Sequence, residues 1–130
     1  MAMRIRRTID IAMTNYSEVV GACAFSYEGN IAYATENMQI QDDVQAILEA
    51  WNTGTSSLLV KHLSFVVAQA TNNSFVAINP DGAISLICGT GKGVWFVAMF
   101  APLDANKNGI LNDCIQAAKN LETSVSIFDV

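Results

Sequence analysis

The period of the hydrophobic pattern changes along this chain in an order that leaves few folds open. Apolar residues recur with a helical period, then alternate through two short segments, return to a helical period, alternate through three longer segments, and end on a helical period. The order is therefore α-ββ-α-βββ-α, which is typical of a small α+β domain. A length of 130 residues and an apolar content of 52% suffice for one hydrophobic core, so we predict a single domain over residues 1–130.

Turn and capping residues set the predicted boundaries. Gly21 and Gly54 end the first two helices, and the turn around Gly29 is typical of a tight hairpin because glycine tolerates positive φ. Asp42 and Asp43 favour the start of the central helix through capping and the helix dipole. The predicted elements are a helix at 5–19, strands at 22–27 and 31–35, a helix at 42–52, strands at 58–71, 74–88 and 94–101, a helix at 110–121, and a tail at 122–130.

The last β segment differs from the others because its residues are apolar at odd and even positions alike, from Val94 to Phe100. A strand of that composition has to be covered on both faces. The preceding stretch, 74–88, contains Pro80-Asp81-Gly82, which predicts a turn or bulge within it.

Composition argues against several classes of partner and cofactor. The net charge of −5 and the pI near 4.5 leave little positive charge for a phosphate backbone, so nucleic acid is not an expected partner. Cys23, Cys88 and Cys114 are widely spaced in apolar segments, which favours buried thiols over disulfides or a zinc site. Because the chain has no membrane-length apolar run and no secretory leader, we expect a cytoplasmic protein without membrane insertion and without a cofactor.

The segment 89–93, Gly-Thr-Gly-Lys-Gly, resembles part of a phosphate-binding loop, in which glycine N–H groups cradle phosphate and a lysine adds charge. The match fails because Leu86 occupies the first glycine position and Gly93 occupies the Ser/Thr position. A strand also follows the loop, where phosphate needs the N-terminus of a helix. We therefore interpret the segment as a glycine-rich hairpin turn.

The segment 104–109 reproduces the calcium-loop pattern D-x-[DN]-x-[DN]-G, with oxygen ligands at Asp104, Asn106 and Asn108. The twelfth position, where a bidentate Glu closes the shell, is Ile115, and one carboxylate with two amides is a poor cage for a hard cation. Two hypotheses follow: a weak calcium site, and, better supported, the start of a helix capped by Asn.

Three side chains have the chemistry of catalytic or stacking groups. His62 is the one histidine in the chain and has no partner for general base catalysis, so we interpret it as an edge or interface residue. Trp51 and Trp95 could stack on a ligand, but each falls on an apolar period, which favours a place in the core or an interface. The sequence therefore predicts no catalytic residue and no enzyme.

The stretch 9–121 resembles the roadblock family of dynein light chains and GTPase-regulator scaffolds, which is related to longin domains. The resemblance rests on the apolar hairpin 21–34 with its acidic-Gly turn, the central helix 42–52, the strand 75–79 with the Asp-Gly turn after it, and the Asn-Gly-Ile-Leu segment 108–111 at the start of the last helix. It implies a three-layer sandwich of the roadblock, longin or profilin type. A five-stranded antiparallel sheet would carry the central helix on one face and the terminal helices on the other.

The same resemblance implies a homodimer, in which two subunits join through the central helix and the edge strand after it. A second copy would complete the helical layer and pair an open strand edge. The implied interface consists of Val44, Ile47, Leu48, Trp51, Leu59, Lys61, Leu63 and Phe65.

The function implied by the resemblance is that of a non-enzymatic dimeric scaffold. It would bind a small Ras-like GTPase, a motor or signalling assembly, or a second roadblock or longin protein. The arginines Arg4, Arg6 and Arg7 all lie near the start of the chain, so any effect on GTP hydrolysis would come from positioning and not from an arginine finger.

An alternative hypothesis is a small-ligand sensor or another binding protein on a profilin-, longin- or PAS-like sandwich. Cys23, Trp95 or the turn at 89–93 would then line a pocket, although the internal positions are mostly Ala, Val, Ile, Phe and Met, which favours a packed core. An actin-binding role of the profilin type is a further variant of the binding hypothesis.

Overall fold

The computed structural model describes the backbone of residues 2–124 and the side chains of residues 5–123. In this part of the chain the helices and strands are α1 (Ala2–Thr14), β1 (Gly21–Ser26), β2 (Ile31–Ala34), α2 (Val44–Thr53), β3 (Ser57–Val60), β4 (Leu63–Ala70), β5 (Ser74–Asn79), β6 (Ile84–Thr90), β7 (Trp95–Pro102) and α3 (Lys107–Ser124). Two short 3₁₀ segments precede α2, at Glu36–Met38 and Gln41–Asp43. Residues 122–124 of the predicted tail continue α3, and 125–130 lie outside the described residues.

The seven strands form one antiparallel sheet in the order β2-β1-β7-β6-β5-β4-β3. β7 lies inside the sheet between β1 and β6, and all its residues except the last are buried. The segment with apolar residues at every position is therefore an interior strand that is covered on both faces, as its composition predicts.

Each face of the sheet has its own hydrophobic core. α1 and α3 pack on one face, with Ile9, Trp95 and Leu121 among the residues that they bury. α2 packs on the other face over Phe65 and Phe75. The expected placement of the central helix on one face and the terminal helices on the other is thus confirmed. Within residues 2–124, no helix is both long and apolar enough to cross a membrane.

The sheet has seven strands and not the predicted five, because two predicted strands are hairpins. The stretch 58–71 is divided between β3 and β4 by Lys61 and His62, whose φ angles of 52° and 66° close a two-residue turn. Such turns are usually marked by Asn-Gly or Asp-Gly, so Lys-His gives no signal in the sequence. The stretch 74–88 is divided between β5 and β6 by the turn that begins at Pro80, where a turn or bulge was expected.

The largest difference between the predicted and observed helix boundaries is at the C-terminal end of α1. α1 ends at Thr14, about one turn early, and Val20 is left exposed. Gly54 ends α2 as expected, with φ of 73° and its N–H donating to Ala50 O at 3.0 Å. Asp43 does not cap α2 with its side chain, because its Oδ2 accepts the N–H of Lys61 at 3.1 Å.

Candidate functional site

The face of the sheet that carries α1 and α3 is covered mainly at one end. α1 packs on β1 and β2, and α3 packs on β6 and β7. Val76 belongs to the core under these helices, so Ile78, two residues further along β5, shares its face. Val66 is opposite Ile78 and therefore lies on that face as well. We call this surface the open face, and define it by Leu59, Ser64, Val66, Gln69 and Ile78.

The open face is apolar and lacks charge. Leu59 is 61% exposed and Val66 is 50% exposed, on the strand pair that forms one edge of the sheet. No residue of β3, β4 or β5 is Asp, Glu, Lys or Arg. Exposed edge strands of soluble proteins usually carry charges that prevent pairing with other chains. An uncharged edge with exposed aliphatic side chains is instead typical of a protein interaction surface.

The β3–β4 hairpin that carries this surface is anchored to the rest of the chain. Lys61 donates its backbone N–H to Asp43 Oδ2 at 3.1 Å and its Nζ to Asn37 O at 3.1 Å. The bonds tie the hairpin turn to the segment that leads into α2. The open face is consequently held in place before any partner binds.

The structure separates the eight residues of the predicted dimer interface. Val44, Ile47 and Phe65 are fully buried under α2, so they have no surface to offer a partner. The fully buried residues of α2 pack on the sheet of the same chain. Of the others, Leu48 and Trp51 are half-buried at the rim of the core, and the exposed ones are Leu59, Lys61 and Leu63.

The glycine-rich turn 89–93 binds an internal anion, the carboxylate of Glu122 at the end of α3. Glu122 accepts the backbone N–H of Lys92 at 2.9 Å, of Val94 at 2.9 Å and of Trp95 at 3.2 Å. The prediction of a turn is confirmed. The partner was not predicted, because Glu122 lies about thirty residues away and was assigned to the tail.

We expect Glu122→Ala to lower the free energy of unfolding by about 1–2 kcal/mol, because the turn loses a charged acceptor shared by several N–H groups. Urea denaturation would measure the change. Glu36→Ala is the matched control, since Glu36 is an exposed carboxylate on a 3₁₀ segment. Equal stabilities of the two variants would show that the hydrogen bonds to Glu122 contribute nothing net.

The segment 104–109 has the geometry of a capped helix start. Asn106 Oδ1 accepts the N–H of Gly109 at 3.1 Å, directly before α3 begins. Asp104 and Asn108 are exposed. Within the described residues no group of three or more His, Cys, Asp or Glu side chains could hold a metal ion. The hydrogen bond between Gly109 and Asn106 therefore supports the capping hypothesis.

The candidate nucleophiles are held in unreactive states. Cys23, Cys88 and Cys114 are free thiols and buried. Burial raises the pKa of Cys23 to about 12 and raises the pKa of Cys88 and Cys114 well above the ordinary value, with Asp113 adding to the effect at Cys114. His62 is exposed in the β3–β4 turn.

Comparison with known proteins identifies the fold. No family model and no curated protein sequence matches the chain. Among solved structures, LokiProfilin2 in a complex with rabbit actin is similar, with a TM-score of 0.85 and 19% identity, over 96% of this chain and 100% of that one. LokiProfilin1 in a complex with rabbit actin has a TM-score of 0.84 and 20% identity, over 96% and 98%. Schizosaccharomyces pombe profilin has a TM-score of 0.73 and 11% identity, over 91% and 96%.

These similarities show that the chain has the profilin fold, and two predictions are thereby wrong. The resemblance to the roadblock family is wrong, because the similar solved structures are profilins and match almost the whole chain. The predicted partners, a second copy of the chain, a small GTPase or a second roadblock or longin protein, are also wrong, since the partner in two of the similar profilin structures is rabbit actin.

Proposed function

We propose that this chain is a binding protein without enzymatic activity, and that it binds an actin monomer through the open face. The observation that carries the proposal is the similarity, over 96% of the chain, to two profilins whose structures contain rabbit actin. The chain supplies a surface suited to such a contact, since Leu59 and Val66 are exposed on uncharged strands. This is the profilin variant of the binding hypothesis that the sequence left open.

Two features support a binding role over catalysis. The buried thiols have raised pKa values, so they are protonated at neutral pH and are weak nucleophiles. His62, the one histidine of the chain, is exposed on the β3–β4 turn and is not enclosed in either hydrophobic core. The apolar open face has instead the properties of a docking surface, because it gains free energy when a partner removes it from water.

Binding to monomeric rabbit actin tests the proposal. Calorimetric titration of the wild-type chain into latrunculin-stabilised actin should show saturable binding. Leu59→Glu and Val66→Glu should each weaken it by roughly thirtyfold or more, because each places an unpaired carboxylate inside an apolar contact. Both side chains are already exposed, so the variants should fold normally.

Ile11→Glu is the matched control for these variants. Ile11 is 58% exposed, as much as Leu59, but it lies on α1, away from the open face. The control should bind actin like the wild type. Absence of wild-type binding would remove the actin proposal. If the wild type binds actin and neither Leu59→Glu nor Val66→Glu weakens the binding, actin remains the partner but the open face is excluded as its binding site.

A further inference from the structure

A cavity of about 550 Å³ lies beside α2, on the sheet face opposite to the open face. Leu48, Trp51 and Phe96, which belong to the core under α2, form part of its wall. The volume is typical of sites that bind small molecules or peptide side chains. Because the two surfaces are on different faces of the sheet, occupancy of the cavity does not depend on the proposed contact with actin. The lining consists of Tyr27, Gln45, Leu48, Glu49, Trp51, Asn52, Asn72, Thr90, Gly93 and Phe96.

Trp51 and Phe96 form a fixed aromatic corner in this cavity, and the fully buried Phe75 lies behind them. Trp51 stacks on Phe75 with ring centroids 5.5 Å apart, and it meets Phe96 almost perpendicularly at 5.4 Å and 78°. The indole N–H of Trp51 donates to Thr71 O at 2.6 Å, which fixes the orientation of the ring. Tyr27, which is 53% exposed, is the third aromatic residue of the lining, beside Trp51 and Phe96. The corner is thus preorganised, and a ligand would not have to order it.

The polar part of the lining favours a positively charged ligand. Glu49 is the charged residue of the lining, and no Lys or Arg is part of it. Two charged residues are adjacent in sequence to lining residues, since Glu28 follows Tyr27 and Lys92 precedes Gly93. Their charges are opposite and cancel. The lining residues of α2 extend to Asn52, near the C-terminal end of the helix, where the helix dipole places partial negative charge. The net charge of the whole chain is −5, which is negative like the charge of Glu49.

We propose that this cavity binds an arginine side chain from a peptide segment of a partner protein. A guanidinium group is planar and stacks on aromatic rings, where the negative face of the ring attracts it. It also presents five N–H donors, which match the carboxylate of Glu49 and the amide oxygens that line the same cavity. A lysine ammonium is compact and more strongly hydrated, and therefore fits an aromatic corner less well. Glu49 is exposed in this cavity, so a neutral ligand would gain no attraction from its charge.

A pair of peptides tests the proposal: acetyl-Gly-Arg-Gly-amide and the same peptide with citrulline, the neutral isostere of arginine. Both are titrated into ¹⁵N-labelled wild-type protein, and the indole N–H signal of Trp51 reports on the cavity. The arginine peptide should bind at least about tenfold more tightly than the citrulline peptide, because citrulline keeps the shape and loses the charge. Equal affinities, or no saturable shift of the Trp51 signal at millimolar arginine peptide, would overturn the proposal.

The variant Glu49→Gln tests whether Glu49 causes the preference for the arginine peptide. The variant keeps the size of the side chain and removes its charge, so the affinities for the two peptides should become nearly equal. Glu18→Gln is the control, because it changes the net charge equally and Glu18 is not part of the lining. It should keep the preference for arginine. The same loss of preference in both variants would mean that overall charge and not this cavity selects the peptide, which would also overturn the proposal.

Discussion

Between pH 8 and about pH 10 the protein should lose about 4 kcal/mol of its free energy of unfolding through its thiols. Cys23, Cys88 and Cys114 have pKa values raised above the ordinary value of 9.0, mainly by burial, and that of Cys23 is about 12. Below pH 9 the folded and unfolded chains both keep these protons, so the stabilisation is complete. Above pH 9 the unfolded chain releases them and the folded chain does not. The free energy of unfolding then falls by about 1.4 kcal/mol per pH unit for each thiol, until the folded thiols ionise.

The contribution of the thiols can be separated from that of lysine and tyrosine, which also titrate at alkaline pH. Guanidinium denaturation is measured at several pH values for the wild type and for Cys23→Ala, Cys88→Ala and Cys114→Ala. The slope of the free energy of unfolding against pH contains a contribution from the three thiols. Each variant should lose about a third of that contribution, whatever its stability at neutral pH. A slope that no variant changes would show that the thiols are not buried as described. As a second measurement, Ellman's reagent should leave the folded protein unmodified and react with all three thiols after denaturation.

The alternation of helical and β regions and several boundaries could be predicted from the sequence because local chemistry determines them. Gly29 has φ of 88° and Gly54 has φ of 73°, and at both positions glycine relieves a steric penalty that other residues carry. The β3–β4 turn had no such signal. Lys61 and His62 adopt positive φ without any local preference for it, so the energy must come from the pairing of β3 with β4 and from the bonds of Lys61. The division of the stretch 58–71 into two strands could therefore not be predicted from local patterns.

The choice between an internal and an external contact could not be predicted either. The period of α2 shows that Val44 and Ile47 form an apolar stripe, but a stripe does not reveal whether it packs on its own sheet or on a second subunit. In the structure both residues are fully buried by the chain itself. For β4 the sequence does not show which of its apolar residues is buried and which is exposed. Phe65 and Val66 are both apolar, and only the placement of the helices determines that Phe65 is buried and Val66 is half-exposed on the open face.

Gly89→Ala should lower the free energy of unfolding by about 2–3 kcal/mol, and Gly89→Val by more. A Cβ at Gly89 would lie 2.6 Å from Ile115 N, 2.8 Å from Ile115 Cγ1 and 2.9 Å from Cys114 C. Two of these are backbone atoms of α3 and cannot rotate away, so the helix has to move off β6. Gly82→Ala is the control, because the nearest atom to its Cβ would be a side-chain oxygen of Asn79 at 3.3 Å. That change should stay within about 0.5 kcal/mol.

A displacement of α3 has a consequence that distinguishes it from a general loss of stability. Cys114 lies on the buried side of α3, and its Sγ contacts Ile87 O at 3.7 Å, so a helix that has moved off β6 should expose this thiol. Gly89→Ala should therefore make Cys114 reactive towards Ellman's reagent under conditions where the chain is still folded, while Cys23, which is buried on the other face of the sheet, stays unreactive. If both thiols became reactive together, the substitution would act through global unfolding. If Gly89→Ala were neutral in stability and reactivity, α3 would not lie as close to β6 as its contact with Gly89 requires.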